Sequence, residues 1–366
     1  MAEASLTLFN KARQSLVEAR SIDEVKAVRD KAEALRLYMK QAGESLQMQN
    51  DIAEIKLRAE RRAGEILGDM EKNEGGRPNQ NQSHDVTSFA PPTLSDLGLS
   101  KMQSHRWQTI AAMPEDAFEA HIAKTKARNE ELTTASVLRL AKDLVREEAR
   151  QEMVDRGAQE VAVTGSYQVI YGDLTRAMAD IAPQSIDAII TDPPYPREYL
   201  SLYGELAQGA ARVLRLGGSM LVMVGQSYLP DILALMTPHV RYHWTVAYLT
   251  PGGQSAQLWQ RRVNTFWKPV LWFVNGEYDG QWIGDVARSD VNDNDKRYHG
   301  WGQSESGMAD LIERCTKPGD VILDPFCGAG TTGVAAIALG RGFIGIDLDE
   351  SAVKITKARL AEVRCA

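Results

Sequence analysis

Cysteine is scarce in this chain of 366 residues. There are three, Cys315, Cys327 and Cys365, too few and too close to one end to knit a disulfide framework. That scarcity points to a reducing compartment, and a cytoplasmic location is expected. No cluster of cysteine and histidine has zinc spacing, so no metal is expected. No run of about 18 apolar residues occurs, and the opening MAEASLTLFNKARQ has no apolar stretch of signal-peptide length, which argues against a membrane partner. Excess positive charge is missing too: 42 Lys and Arg face 49 Asp and Glu, a net charge of -7. The global field does not draw such a chain to polyanions, and taken alone that argues against nucleic acid.

What is present is a composition suited to sizeable cores, 43% hydrophobic and 25% charged, at a length that implies two or three compact units. Residues 1–70 read as helix, with Leu8, Ala12, Leu16, Ala19 and then Val25, Val28, Ala32, Leu35, Tyr38 recurring every three or four positions. Ser21 and Glu24 have capping-box spacing, and Gly43 marks a break. The stretch from Ser45 to Met70 alternates charges, and a solvated helical hairpin or coiled-coil arm is expected there. Residues 71–92 lack periodicity and concentrate Gly, Asn, Gln, Ser and Pro, as a flexible linker does. Residues 93–155 are helical again. Within them, a short helix from Leu94 to Leu97, a turn at Gly98 and a second helix opening at Ser100 match helix-turn-helix spacing. In that reading Lys101, Gln103, Ser104, His105 and Arg106 face a DNA groove while Leu97, Leu99, Met102 and Trp107 pack inside. An ordinary helical corner fits the same residues.

From about Ser166 the texture changes. SYQVIYGD, IDAIITDPPY, SMLVMVG, RYHWTVAYL, KPVLWFVNG, DVILDPF and FIGIDLD read as strands separated by helical or loop segments, including a helix from Glu198 to Leu214. Alternation of this kind implies an α/β domain over 160–366, a doubly wound, mostly parallel seven-stranded sheet of Rossmann-like type covered on both faces, preceded by the all-helical N-terminal arm.

Two constellations in that domain carry chemistry. The first is VILDPFCGAGTTGVAA, a strand, a glycine turn at Gly328-Ala329-Gly330 and a helix beginning near Thr331. Glycines let the backbone approach a ligand closely, and Asp347 at the end of the next strand can accept hydrogen bonds from ribose hydroxyls. Gly328, Gly330 and Gly333 also satisfy the dinucleotide pattern, so an NAD-dependent enzyme stays open. Two features favour S-adenosylmethionine instead. Only one helix can follow Asp347, and the carboxylate of Asp324 suits a cationic ligand better than a pyrophosphate. The second constellation is Asp192-Pro193-Pro194-Tyr195, directly after an apolar strand and so on the same rim of the sheet.

Together, Asp192-Pro193-Pro194-Tyr195 and Asp324-Pro325-Phe326-Cys327-Gly328-Ala329-Gly330 resemble the catalytic and cofactor motifs of the amino-methylating DNA methyltransferases. Their order, catalytic motif first, resembles the circularly permuted β group, and the similarity spans roughly 166–362. It implies the class I methyltransferase fold and S-adenosylmethionine as cofactor. It also implies an acidic contact near the adenine at Asp173. Many relatives carry a Lys-Pro pair near the methionine end; Ser304-Glu305 stands there in this chain, and Ser304 is the expected substitute. The cofactor set is then Asp173, Ser304, Asp324, Pro325, Phe326, Gly328, Gly330, Thr331 and Asp347. The helical extension is of a phage-like kind, and no second centre for an endonuclease is apparent, which points to an orphan modification enzyme.

An exocyclic amine is a poor nucleophile because its lone pair is delocalised into the ring. Hydrogen bonds from it to Asp192 and to the Pro193 carbonyl favour a more tetrahedral nitrogen aimed at a methyl sulfonium. Pro193 and Pro194 stiffen the loop, and Tyr195 offers a stacking face to a base turned out of the duplex. Cys327 reads as packing, and the chain has no Pro-Cys for ring-carbon methylation. Target recognition is expected at 249–299, where Arg261, Arg262 and Lys268 mix with Trp259, Phe266 and Trp267; a core role for the aromatics fits as well. The expected activity is site-specific methylation of adenine N6 in double-stranded DNA. N4 of cytosine and a non-enzymatic DNA-binding regulator are the alternatives, and a homodimer is open. Residues 1–150 are nearly neutral, so the acidity lies mostly in the second half and includes the proposed pocket. DNA contact then rests on a few local arginines and lysines.

Overall fold

The computed structural model describes residues 18–70, 92–159, 167–249, 261–289 and 304–363, with a few positions in 11–16 and a strand at 256–258. The linker expected at 71–92 lies outside the described residues except for Pro92, as do Trp259 and Cys365. The chain divides into two compact units, Met1–Glu147 and Glu148–Ala366.

The first unit is helical: α1 (Ile22–Gln41), α2 (Leu46–Asp69), α3 (Lys101–Ala111), α4 (Glu115–Ala127) and most of α5 (Thr134–Gln159). The capping box that opens α1 is formed as expected: the Ser21 hydroxyl accepts from Glu24 N, and the Glu24 carboxylate accepts from Ser21 N. The solvated arm expected at Ser45–Met70 is not what forms. Ile52, Ile55, Leu57, Ala59, Ala63 and Leu67 of α2 are all buried, and the helix is a shared wall for its neighbours. Gly64 explains part of this, because a Cβ there would lie 2.0 Å from the Trp107 carbonyl oxygen of α3. Charge on α2 also turns inward: buried Glu60 accepts from Thr134 Oγ1 at 2.9 Å and pairs with Arg29 at 3.4 Å. Residues 18–70 and 92–147 therefore belong to one unit rather than to an arm and a separate module.

The helix-turn-helix expectation is met only in its second half. Leu94–Gly98 is a single turn, with Leu97 N donating to Thr93 O and Gly98 N to Ser95 O. Ser100 caps α3, and Lys101, His105 and Arg106 are exposed. Ser104, expected to face a groove, is buried with Trp107 and Ile110, while Met102, expected inside, is 62% exposed. The buried stripe of α3 runs at three-residue intervals from Ser104, which turns Met102 away from it.

The second unit takes in the last turns of α5, where Met153 packs with Ile355 and Ala358; the expected boundary at 160 is therefore too late. There follow β1 (Tyr167–Tyr171), α6 (Leu174–Asp180), β2 (Ile186–Thr191), α7 (Leu200–Val213), β3 (Leu214–Met223), α8 (Leu229–Met236) and β4 (Arg241–Leu249). After them come β5 (Ala256–Leu258), β6 (Val263–Thr265), β7 (Lys268–Val274), β8 (Val286–Arg288) and α9 (Glu305–Cys315). The unit closes with β9 (Val321–Asp324), α10 (Thr331–Ala338), β10 (Gly342–Asp347) and α11 (Glu350–Glu362). All seven expected strands join one sheet in the order β1-β10-β9-β2-β3-β7-β4-β8, the short β8 adding an eighth at the edge. Within this sheet, among the described residues, only β7 runs against its neighbours. Period-two alternation sorts the strand residues: Ile189, Met220, Val222, Leu271 and Phe273 pack with α6, α7 and α8. Ile190, Leu221, Met223, Val270 and Trp272 pack with α9, α10 and α11. Both faces are thus covered, as a parallel sheet requires. Because β7 pairs with both β3 and β4, the recognition insert expected at 249–299 is not one piece; a core strand runs through it.

Candidate active site

From β9 the chain crosses to β10 on one side, and from β2 it crosses to β3 on the other. The two central strands pair in parallel, Ala188 with Ile322 and Ile189 with Leu323, so a crevice opens beyond their carboxyl ends. Both sequence motifs leave from that point. A cavity of about 850 Å³ lies there, walled by Asp192, Pro193, Pro194, Tyr195, Phe326, Gly328 and Asp347 among others.

On the β9 side, Asp324 is 3% exposed and does not line the cavity. Its Oδ1 accepts from Thr191 Oγ1 at 2.6 Å, 133 residues away in the chain, and from Phe326 N at 3.2 Å. Burial pushes its pKa up to about 6 against these hydrogen bonds. The expectation of direct contact between this carboxylate and a cationic ligand is corrected accordingly: Asp324 ties the two central strand ends together beneath the glycine turn. Gly328 and Gly330 have φ of +51° and +80°, the left-handed region where glycine is at home. The turn is braced from behind by α11, with Thr356 Oγ1 donating to Gly328 O at 2.8 Å and buried Arg359 donating to Ala329 O. Nothing in the sequence motif marks Thr356 or Arg359; they are found only by their position on the next helix.

The residues present fit a nucleoside-bearing cofactor. A Cβ at Gly328 would meet nothing within 4 Å, so its backbone is open to a ligand. Asp347 accepts from Gly328 N at 2.8 Å and from Asp349 N at 2.9 Å, one bond on each oxygen, and a carboxylate oxygen has a second lone pair to offer a ribose hydroxyl. Asp173 caps α6, accepting from Thr175 N and Arg176 N, and does not line the cavity. It is close in sequence to Gly172, whose N–H donates to Asp347 O at 3.0 Å. Ser304 is buried, its hydroxyl accepts from Gly307 N to cap α9, and it does not line the cavity. Pro325, Gly330 and Thr331 shape the turn without lining the cavity. Cys327 is buried, and burial raises its thiol pKa, as a packing residue requires.

On the β2 side, Asp192 is partly exposed, and its two oxygens have different neighbours. Tyr195 Oη donates to Oδ1, and Lys268 Nζ lies 3.6 Å from Oδ2. The same ammonium sits 5.3 Å from the centre of the Tyr195 ring. Burial, then the adjacent Asp192 carboxylate, raises the Tyr195 pKa, so the hydroxyl remains a donor. Lys268, expected on DNA, is thus found beside the Asp192 carboxylate, because it opens β7 at the same rim. Arg261 Nη2 donates to Ser227 O, a residue of the cavity wall, at 3.0 Å, and Arg262 is exposed with φ of +54°. Phe266 and Trp267 are 63% and 42% exposed, which removes the core reading of these two aromatics. Gln226, Tyr228 and Thr265 also line the wall and were not singled out by sequence.

Residues 275–358 match the family model described as DNA methylase. The chain is similar to the DNA adenine methyltransferase YhdJ of Escherichia coli strain K12, 25% identical over 246 residues that cover 52% of this chain and 82% of that protein. It is also similar to the Type II methyltransferase M2.DpnII of Streptococcus pneumoniae, 41% identical over 85 residues, 22% of this chain and 32% of that protein. The crystal structure of the M1.HpyAVI–SAM complex is 23% identical, covering 53% of this chain and 98% of its own, with a TM-score of 0.46.

Proposed function

We propose that the protein transfers a methyl group from S-adenosylmethionine to the exocyclic N6 amine of adenine in double-stranded DNA. One observation carries the reading: the Asp192-Pro193-Pro194-Tyr195 loop and the Gly328–Asp347 cradle, remote in sequence, wall a single cavity. The match to the DNA methylase family and the similarity to an adenine methyltransferase support it. The order of the two motifs supports a place in the permuted β group. Asp rather than Ser at position 192 favours adenine, while N4 of cytosine presents the same chemistry to the same residues.

S-adenosylmethionine, when bound, supplies a methyl carbon on a positively charged sulfur. The chain's own residues do the rest. An extruded base donates one N–H of its amine to Asp192 and the other to the Pro193 carbonyl, which fixes the nitrogen and turns its lone pair outward. With such a methyl donor bound, methylation would build positive charge on that nitrogen, and Asp192 would both stabilise it and be placed to take the departing proton. Pro193 and Pro194 hold the loop still. Tyr195, Trp267 and Phe266 present ring faces to unstacked bases. Asp347 receives the ribose, with Phe326 and Gly328 beside it. The test is expression in a methylation-free host with modified bases read across the genome. N6-methyladenine in a defined sequence context is expected; N4-methylcytosine would reassign the base, and unmodified DNA would overturn the activity.

A further inference from the structure

Lys268 stands beside the carboxylate that the proposed reaction uses. Its backbone is fixed at the first position of β7, paired with Tyr248 of β4, but its long side chain is partly exposed and ends 3.6 Å from Asp192 Oδ2. With Tyr195 on the other oxygen, both acceptor atoms of the carboxylate have a donor beside them. Each oxygen keeps a second lone pair, so an incoming amine either shares the carboxylate with these groups or displaces one of them. Electrostatics selects which. Positive charge grows on the attacking nitrogen beside an already cationic sulfur, and an ammonium held at the same carboxylate would oppose it, whereas the neutral Tyr195 hydroxyl would not.

The surroundings supply a destination. Lys268 lines the cavity together with Thr265 and Trp267, next to exposed Phe266 and the Arg261 side chain anchored on Ser227. We propose that Lys268 is a placeholder and positioning residue: in the DNA-free protein it neutralises Asp192, and on base entry it gives Asp192 up to the amine and moves to a DNA phosphate. The exchange frees the carboxylate for the reaction. This rests on the reading of Asp192 as the amine acceptor.

The test uses the full chain and sheared duplex DNA from a methylation-free host. Lys268→Met is expected to weaken DNA binding roughly tenfold and to reduce the log–log salt slope by about one unit. Its single-turnover methylation rate at saturating DNA should rise, because no ammonium competes for Asp192; KM and kcat then move in a way that a merely structural residue would not produce. Lys268→Arg should restore binding. Asp192→Asn should tighten DNA binding when Lys268 is present and do so much less in the Lys268→Met background, a coupling read from the double-mutant cycle. Unchanged DNA affinity in Lys268→Met, a fall in its single-turnover rate, or equal tightening by Asp192→Asn in both backgrounds would each overturn the proposal. If the wild-type protein transfers no methyl group, the reading of the site fails, while the binding cycle still decides the role of the lysine.

Discussion

Two Asp-Pro steps end two neighbouring parallel strands, Asp192-Pro193 after β2 and Asp324-Pro325 after β9, and the fold uses them in opposite ways. Asp324 is buried, and its hydrogen bonds come from the scaffold: a strand-end threonine and a backbone N–H. Asp192 is partly open to the cavity, and the groups that face it, Tyr195 and Lys268, are side chains of the cavity wall. The same dipeptide is a structural tie in one strand and, in the proposed reaction, the amine acceptor in the next. What separates them is the depth at which each carboxylate sits and the kind of group that faces it.

The strongest way to break this contrast is Asp192→Ala. Methyl transfer should fall about 10³-fold, while thermal stabilisation by S-adenosylmethionine persists; a variant that still methylates genomic DNA would remove Asp192 from the chemistry. Next comes the turn that follows Asp324. In Gly330→Ala the new Cβ would lie 2.7 Å from Thr356 Cγ2 in a left-handed backbone, and about 2–3 kcal/mol of stability should be lost on chemical denaturation. Gly328→Ala, left-handed but with open space around it, should cost about 1 kcal/mol and chiefly weaken cofactor binding.

Asp324→Asn sharpens the comparison differently. It keeps an acceptor for Thr191 and Phe326 but removes a charge that burial penalises, so stability near neutral pH should rise, while cofactor affinity drops roughly tenfold with the loss of one charge behind the turn. The same carboxylate also sets a pH dependence. Asp324 has a folded pKa raised to about 6 from 3.8, so the folded state holds this proton more tightly than the unfolded chain does. The stability that proton contributes is fully present below about pH 4 and is lost as pH rises through about 6. Subtracting the Asp324→Asn profile from that of the wild type should reveal this window; a flat difference would mean that the carboxylate is not buried as described.

Legibility from sequence followed the range of each interaction. The strands of the second unit, the cap at Ser21 and the two motifs were readable, because each depends on neighbours within a few residues. The first unit was less so. Its α2 looked solvated, since charges such as Glu60 read as surface until Arg29 and Thr134 are brought to them from other helices. Ser304 was assigned to the cofactor by analogy with relatives, whereas its hydroxyl closes the end of a helix. Lys268 was placed on DNA for its charge, without any signal that β7 would insert between β3 and β4 and set it beside Asp192.

By itself, then, the sequence determined the order of strands and helices, the positions of the two strand-end loops and the chemistry that a carboxylate with two prolines and a glycine turn can support. These follow from local propensity and side-chain type. Only the tertiary structure decided which carboxylate is a buried tie and which stands at the cavity, which lysine lies beside it, and which helix braces the turn from behind. Burial and pairing across more than a hundred residues are properties of the packed sheet, and no local stretch of sequence contains them.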